Sequence, residues 1–154
     1  MKNLIENFYH SFENPDAEGM VECYHDEVTF EDPAFGILRG EHTKNMWRML
    51  CKNQQGKDFK IKASDFEVQN DKGKARWEAY YTFSRTGRKV HNIINAEFEF
   101  KNGKIINHTD NFDLYRWARR AFGFNGWLLG WSQLFKKKLN AQTNKLLSNF
   151  EKTN

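Results

Sequence analysis

Apolar residues recur at helical spacing from the start of the chain, where Leu4, Ile5, Phe8, Tyr9 and Phe12 fall on one face. Asn14 then precedes Pro15, Asp16 and Glu18, the residue order of a second helix capped by Asn14. Its buried stripe is expected at Ala17, Met20, Val21 and Tyr24. A short strand, Val28 to Glu31, runs into Asp32-Pro33, where proline has no amide to give a ladder. Gly36 and Gly40 bracket a stretch that reads as an irregular loop. A third helix, Glu41 to about Lys52, would bury Thr43, Met46, Trp47 and Leu50.

The period then changes from helix to strand. Phe59, Ile61 and Ala63 alternate, and Phe66 and Val68 take the opposite parity, which places a bulge near Ser64-Asp65. Asn70 to Gly73 reads as a turn. Ala75, Trp77, Ala79, Tyr81 and Phe83 share one strand face; Val90, Asn92, Ile94, Ala96, Phe98 and Phe100 share the next. These strands are about twice the usual length of five or six residues, so their sheet must twist and curl. After Asn102-Gly103 the last strand sets Ile106, His108, Asp110 and Phe112 on one side. A two-residue loop would turn that side away from Phe98 and Phe100. A three-residue loop with Gly103 in a left-handed bulge turns it inward, pairing Phe98 with Ile106, Ala96 with His108, Ile94 with Asp110 and Asn92 with Phe112. Burial favours the second register, because a one-residue slip exposes a whole face.

Three helices followed by a long curled antiparallel sheet define an α+β fold, with the helices in the concave side. Residues 1–114 form this unit. Residues 115–154 form an aromatic, basic helical extension: Tyr115 to Phe122, a glycine-flanked turn at Gly123 to Gly126, then one helix with Trp127, Leu128, Leu129, Trp131, Leu134 and Phe135. Leaving these aromatic side chains in water would create an oversized apolar patch. They are expected to fold back on the protein itself, in preference to a membrane surface. Lys136 to Lys138 and the segment after Asn140 are expected to be solvated.

Composition adds three constraints. The 154 residues are 39% hydrophobic and 16% aromatic, which excludes a disordered chain. The net charge of +4 divides unevenly, about −3 on residues 1–114 and +7 on residues 115–154, so the basic character belongs to the extension. Cys23 and Cys51 lack CxxC or zinc spacing, and no signal-peptide or membrane-length apolar run occurs, so a reduced, cytoplasmic protein is expected.

The candidate chemistry lies where ionisable groups interrupt apolar faces. His108 and Asp110 share the inward face of the last strand with Trp77 and Tyr81, and burying them costs several kcal/mol unless they are partnered. They read either as a structural pair or as a carboxylate in an apolar wall whose pKa is raised into the working range of a general base. Asp32 before Pro33 reads as a turn former or as a second such acid. No metal is expected at Asp32, His108 and Asp110, and no phosphate loop, HExxH, nucleophile elbow or dinucleotide fingerprint occurs, so no cofactor is expected.

A helix, a second helix, Thr29-Phe30-Glu31-Asp32-Pro33, a glycine-bracketed loop and four long strands together resemble the nuclear transport factor 2-like superfamily. That superfamily includes ketosteroid isomerase, limonene epoxide hydrolase and the SnoaL-type cyclases. The resemblance covers residues 1–114, and it extends to a SnoaL-like bacterial subgroup that continues into a Tyr-Arg-Trp tail. It implies a proton-shuttling role for Asp32 and an acidic base at Asp110, assisted by His108. The oxyanion-hole Tyr of the isomerase would fall near Phe8, with Tyr9 beside it but turned away, and the oxyanion-hole Asp at Ala96. Both donors are therefore missing, which argues against steroid isomerisation by that mechanism.

The expectation is a pocket for a small apolar carbonyl- or hydroxyl-bearing molecule, with Asp32, Asp110 and His108 catalytic and Tyr24, Trp47, Trp77, Tyr81, Asn92 and Phe112 lining it. A homodimer through the outer sheet face is expected, and nucleic acid is not among the expected partners. The alternatives are a non-catalytic binding module and an interaction protein working through its tail.

Overall fold

In the computed structural model, which describes residues 1–153, α1 (Lys2–Glu13), α2 (Ala17–Glu22) and α3 (Glu41–Gln54) pack on a six-stranded sheet. Its strands are β1 (Tyr24–Asp32), β2 (Gly36–Arg39), β3 (Phe59–Gln69), β4 (Lys72–Phe83), β5 (Arg88–Lys101) and β6 (Lys104–Asn111). Their spatial order is β2-β1-β6-β5-β4-β3, open at β2 and β3. Neighbours are antiparallel except β1 and β6, which run parallel. Most of the chain separates those two strands, so no hairpin dictates their direction.

The apolar patterns place the core as expected. Ile5, Phe8, Tyr9 and Phe12 of α1 are buried, as are Met46 and Trp47 of α3. They meet the inner faces of β4 and β5, where Ala75, Ala79, Ile94, Ala96 and Phe98 are buried. The expected bulge in β3 is present, with a register shift between Ser64 and Glu67 and Asp65 at φ 55°.

Several local expectations are corrected. Asp16, not Asn14, caps α2 by accepting the Gly19 amide at 3.0 Å, while the Asn14 side chain closes α1 through the His10 carbonyl at 2.8 Å. Tyr24 opens β1 instead of ending α2, because β6 offers it a ladder partner at Ile105. The stretch between Gly36 and Gly40 is a strand, with Leu38 buried and Ile37 exposed, paired to β1 around the turn Pro33-Ala34-Phe35. Gly73 lies within β4, opposite Val68.

The β5–β6 hairpin corrects the expected register while keeping its inward face. Its loop has two residues, Asn102 and Gly103, both left-handed at φ 52° and 77°, the conformation the tight hairpin turn requires. The extra residue falls later, at the register shift between Glu99 and Phe100. Phe100 therefore faces Ile105, and Phe98 faces His108. Ile105, rather than Ile106, takes the buried position, and the bulge returns His108 and Asp110 to the core.

The extension forms α4 (Leu114–Phe122), α5 (Phe124–Leu129) and α6 (Gln133–Thr153). The single helix expected from Trp127 to Phe135 is broken at Gly130 to Ser132, where the Ser132 hydroxyl accepts the Phe135 amide at 3.1 Å and so starts α6. The segment after Asn140 is not free in solvent. Leu147 is buried, Phe150 packs on the core, and Glu151 accepts hydrogen bonds from α3.

Candidate active site

Five side chains from three strands and a helix meet in one buried hydrogen-bonded chain. Trp47 Nε1 of α3 lies 2.9 Å from Tyr24 Oη of β1, and Tyr24 Oη lies 2.6 Å from His108 Nδ1 of β6. On the other side of the ring His108 Nε2 lies 3.1 Å from Asp110 Oδ1. The same oxygen accepts from Trp77 Nε1 of β4 at 3.1 Å. An indole can only donate, which fixes the direction of the two links made by Trp47 and Trp77. Trp47 donates to the Tyr24 oxygen, whose O–H is free to donate to His108 Nδ1. In the tautomer with the proton on Nε2, Nδ1 accepts from Tyr24 and Nε2 donates to Asp110.

The chain sits in an aromatic enclosure. Phe8, Phe30, Trp47 and Phe98 surround the imidazole, with Trp47 stacked at 6.1 Å and Phe98 at 4.4 Å between ring centres. His108 is 1% exposed and Asp110 3%, depths at which an unpartnered polar group is costly. The Tyr24 phenol is held well above its ordinary pKa, first by burial and then by the Asp110 charge, and so keeps its proton.

Tyr9 adds to this enclosure and corrects the expectation that it is turned away. It is 2% exposed and lies against Trp77, Phe66 and Phe98. Among the described residues, its hydroxyl and that of Thr43 are the buried side-chain polar atoms without a partner. Burial, and then the Asp110 charge, push the Tyr9 phenol well above its usual pKa, so it remains a donor. Ala96, the position that lacks the isomerase-type acid, stands directly across from Asp110 on the neighbouring strand. A carboxyl group thus stands on β6, across the ladder from that position.

Asp32 stands at the end of β1, half-buried. Its Oδ1 accepts the amides of Ala34 at 2.9 Å and Phe35 at 2.6 Å, which fixes the carboxyl plane. Burial pushes its pKa up to about 7, with the Asp110 charge adding to the rise and the Phe35, Ala34 and Gly36 amides opposing it. α6 lies over this turn. Asn140 Nδ2 donates to the Pro33 carbonyl at 2.9 Å and to that of Ala34 at 2.5 Å. Thr143 Oγ1 donates to Ala34 and Asn144 Nδ2 to Phe35, both at 2.8 Å.

Of the residues expected from the sequence, Tyr24, Trp47, Trp77, His108 and Asp110 are thus brought together, and Asp32 lies within their electrostatic reach. Tyr81 accepts from Trp117 Nε1 at 2.8 Å, and Phe112 packs in the same second cluster under α4. Asn92 sits on β5 opposite Ala79, with no link to the chain of five. The roles of Tyr9 and α6 were missed. Tyr9 had a signal, since it lies within the apolar stripe of α1.

The match to known families decides the classification. A family model described as a SnoaL-like domain matches residues 5–108. The chain belongs to the SnoaL-like domain family. No curated protein matches its sequence. Solved structures similar to this SnoaL-like chain include TerC co-crystallised with polyporic acid, at 18% identity and a TM-score of 0.66, covering 79% of this chain and 97% of that one. An LEH-like epoxide hydrolase of M. tuberculosis is 21% identical with a TM-score of 0.61, covering 83% and 89% respectively. An NTF2-like protein of unknown function from Burkholderia pseudomallei K96243 is 16% identical with a TM-score of 0.65, covering 77% and 95%. At these identities the likeness is one of fold, and the SnoaL-like fold hosts many activities.

Proposed function

We propose that this SnoaL-like protein is a proton-transfer enzyme for a small apolar molecule bearing a carbonyl or hydroxyl group, of the isomerase, cyclase or hydrolase kind. The observation that carries this reading is Asp32, a carboxyl group fixed by two amides within electrostatic reach of Asp110 and poised to exchange protons near neutrality. In its ionised form Asp32 takes a proton from the carbon next to the substrate carbonyl. The C–H electron pair moves toward the carbonyl oxygen, which accepts a hydrogen bond from the unspent Tyr9 hydroxyl. Asp32 then returns the proton to a different atom of the substrate. The Trp47–Tyr24–His108–Asp110–Trp77 chain fixes the shape of the aromatic enclosure, and its negative end favours the protonated form of Asp32.

The test is deuterium incorporation from heavy water into a panel of apolar ketones and lactones, followed by NMR. Asp32→Asn should abolish exchange, and Tyr9→Phe should slow it by about a hundredfold. A second reading, a non-catalytic binding module, is favoured by how closely aromatic rings pack around His108. Exchange that is absent, or identical in both variants, together with ligand affinity altered by Asp32→Asn, would select that reading instead.

A further inference from the structure

α5 is built the opposite way round from a helix in a water-soluble domain. Its small residues face the protein: Gly126 is buried against α4, where a Cβ would collide with the Ala118 carbonyl, and Gly130 abuts the Ala118 side chain. The large apolar residues of α5, and Trp131 in the turn after it, face out. Phe124 and Trp131 are 72% exposed, Trp127 54%, Leu128 49%, Leu129 56% and Leu134, in the first turn of α6, 62%. This corrects the expectation that the extension covers its own aromatic residues; Trp117, Phe122 and Phe135 are packed, and these six are not. Together they present on the order of 700 Å² of side-chain surface, beyond the few hundred usual for a monomer's largest apolar patch.

The patch is held in place. Tyr115 Oη donates to the Trp127 carbonyl at 3.1 Å, Trp131 Nε1 to that of Leu128 at 3.0 Å, and the Phe124 and Trp127 rings stack at 5.8 Å. Its surroundings are cationic. From Leu114 to Phe150 the sequence has seven Lys/Arg and no Asp or Glu. Arg116 and Arg119 of α4 and Lys136, Lys137 and Lys138 of α6 are exposed beside it.

We propose that α5 and the first turn of α6 dock this protein on an anionic lipid bilayer. Tryptophan, phenylalanine and leucine enter the headgroup–acyl boundary, while the flanking cations contact the phosphates. No helix among the described residues is long and apolar enough to cross a membrane, so the attachment is to one face. A second copy seated on the patch fits less well, because the two cationic rims would meet like charge against like charge. The inference stands on the extension alone and does not depend on the chemistry at Asp32.

The experiment is vesicle flotation with the full chain, using phosphatidylcholine alone and phosphatidylcholine mixed with phosphatidylglycerol. The protein should float with the mixed vesicles and bind at least about tenfold more weakly to the neutral ones or in high salt. Trp127→Ser combined with Trp131→Ser should lower binding by about tenfold or more, as should Lys136→Gln, Lys137→Gln and Lys138→Gln together, with unchanged circular dichroism. These side chains are exposed, so the variants should fold. Absence of binding to either vesicle would overturn the proposal, as would binding indifferent to lipid charge. A dimer in light scattering that disappears on the Trp127 and Trp131 substitutions, without vesicle binding, would assign the patch to a second copy.

Discussion

Replacing Asp32 by asparagine should make the protein more stable at alkaline pH and leave its stability unchanged in acid. The carboxyl moves from 3.8 in the unfolded chain to about 7 in the fold, chiefly because burial disfavours its charge. A displacement of that size corresponds to ~4 kcal/mol. Because the folded value is the higher one, this stability is fully present below pH ~4 and is lost as pH rises through about 7. Asparagine carries no charge at any pH, so it escapes the loss. Its Oδ1 can still accept the Ala34 and Phe35 amides, whose preference for the charged form is already contained in the shift. Water at the partly exposed carboxyl screens the penalty, leaving a net gain of about 2 kcal/mol at alkaline pH. Urea unfolding measures this directly. With an ordinary slope the midpoint should rise by ~1 M at pH ~8.5 and stay put at pH ~3, below the unfolded-chain value. A variant that is no more stable than the parent at the higher pH, or whose gain is the same at both, would refute the reasoning.

Turnover on a substrate found by deuterium exchange should climb through pH ~7 and then level, because the base works only when ionised; a profile flat from pH ~5 to ~8 would exclude Asp32. His108→Ala should lower stability by about 3–5 kcal/mol, read as a fall in the thermal midpoint of roughly 10 °C, since it strips both Tyr24 and Asp110 of a buried partner. Gly126→Ala should detach α5 from α4, read as a changed near-ultraviolet circular dichroism from the tryptophans, with the core's unfolding midpoint nearly unaltered.

Much of this was legible in the sequence because it rests on periodicity. The α1 stripe, the alternation in β4 and β5 and the β3 bulge follow from which residues must avoid water, and that requirement is local. His108 and Asp110 were placed on the correct face by the same reasoning, although the loop was misjudged. A two-residue Asn102-Gly103 turn and a later bulge reach the same burial as one three-residue loop, and the sequence does not distinguish them. What escaped was set by distant or polar contacts. Asn140, Thr143, Asn144 and Leu147 share one helical face, but three of them are polar and their partners are backbone carbonyls of the Asp32 turn, which leave no pattern to read. Tyr9 was discounted through alignment to a relative's tyrosine at Phe8, when its own position in the stripe already buried it. The outward face of α5 escaped because a normal soluble helix hides its tryptophans, and Gly126 and Gly130 reverse that choice.

The proton-transfer chemistry proposed for Asp32 turns on a single titration. Carbon-13 NMR of the aspartate carboxyl groups, with Asp32 assigned by its loss in Asp32→Asn, should give a midpoint of about 7. A midpoint near the ~3.9 of a free aspartate would contradict it.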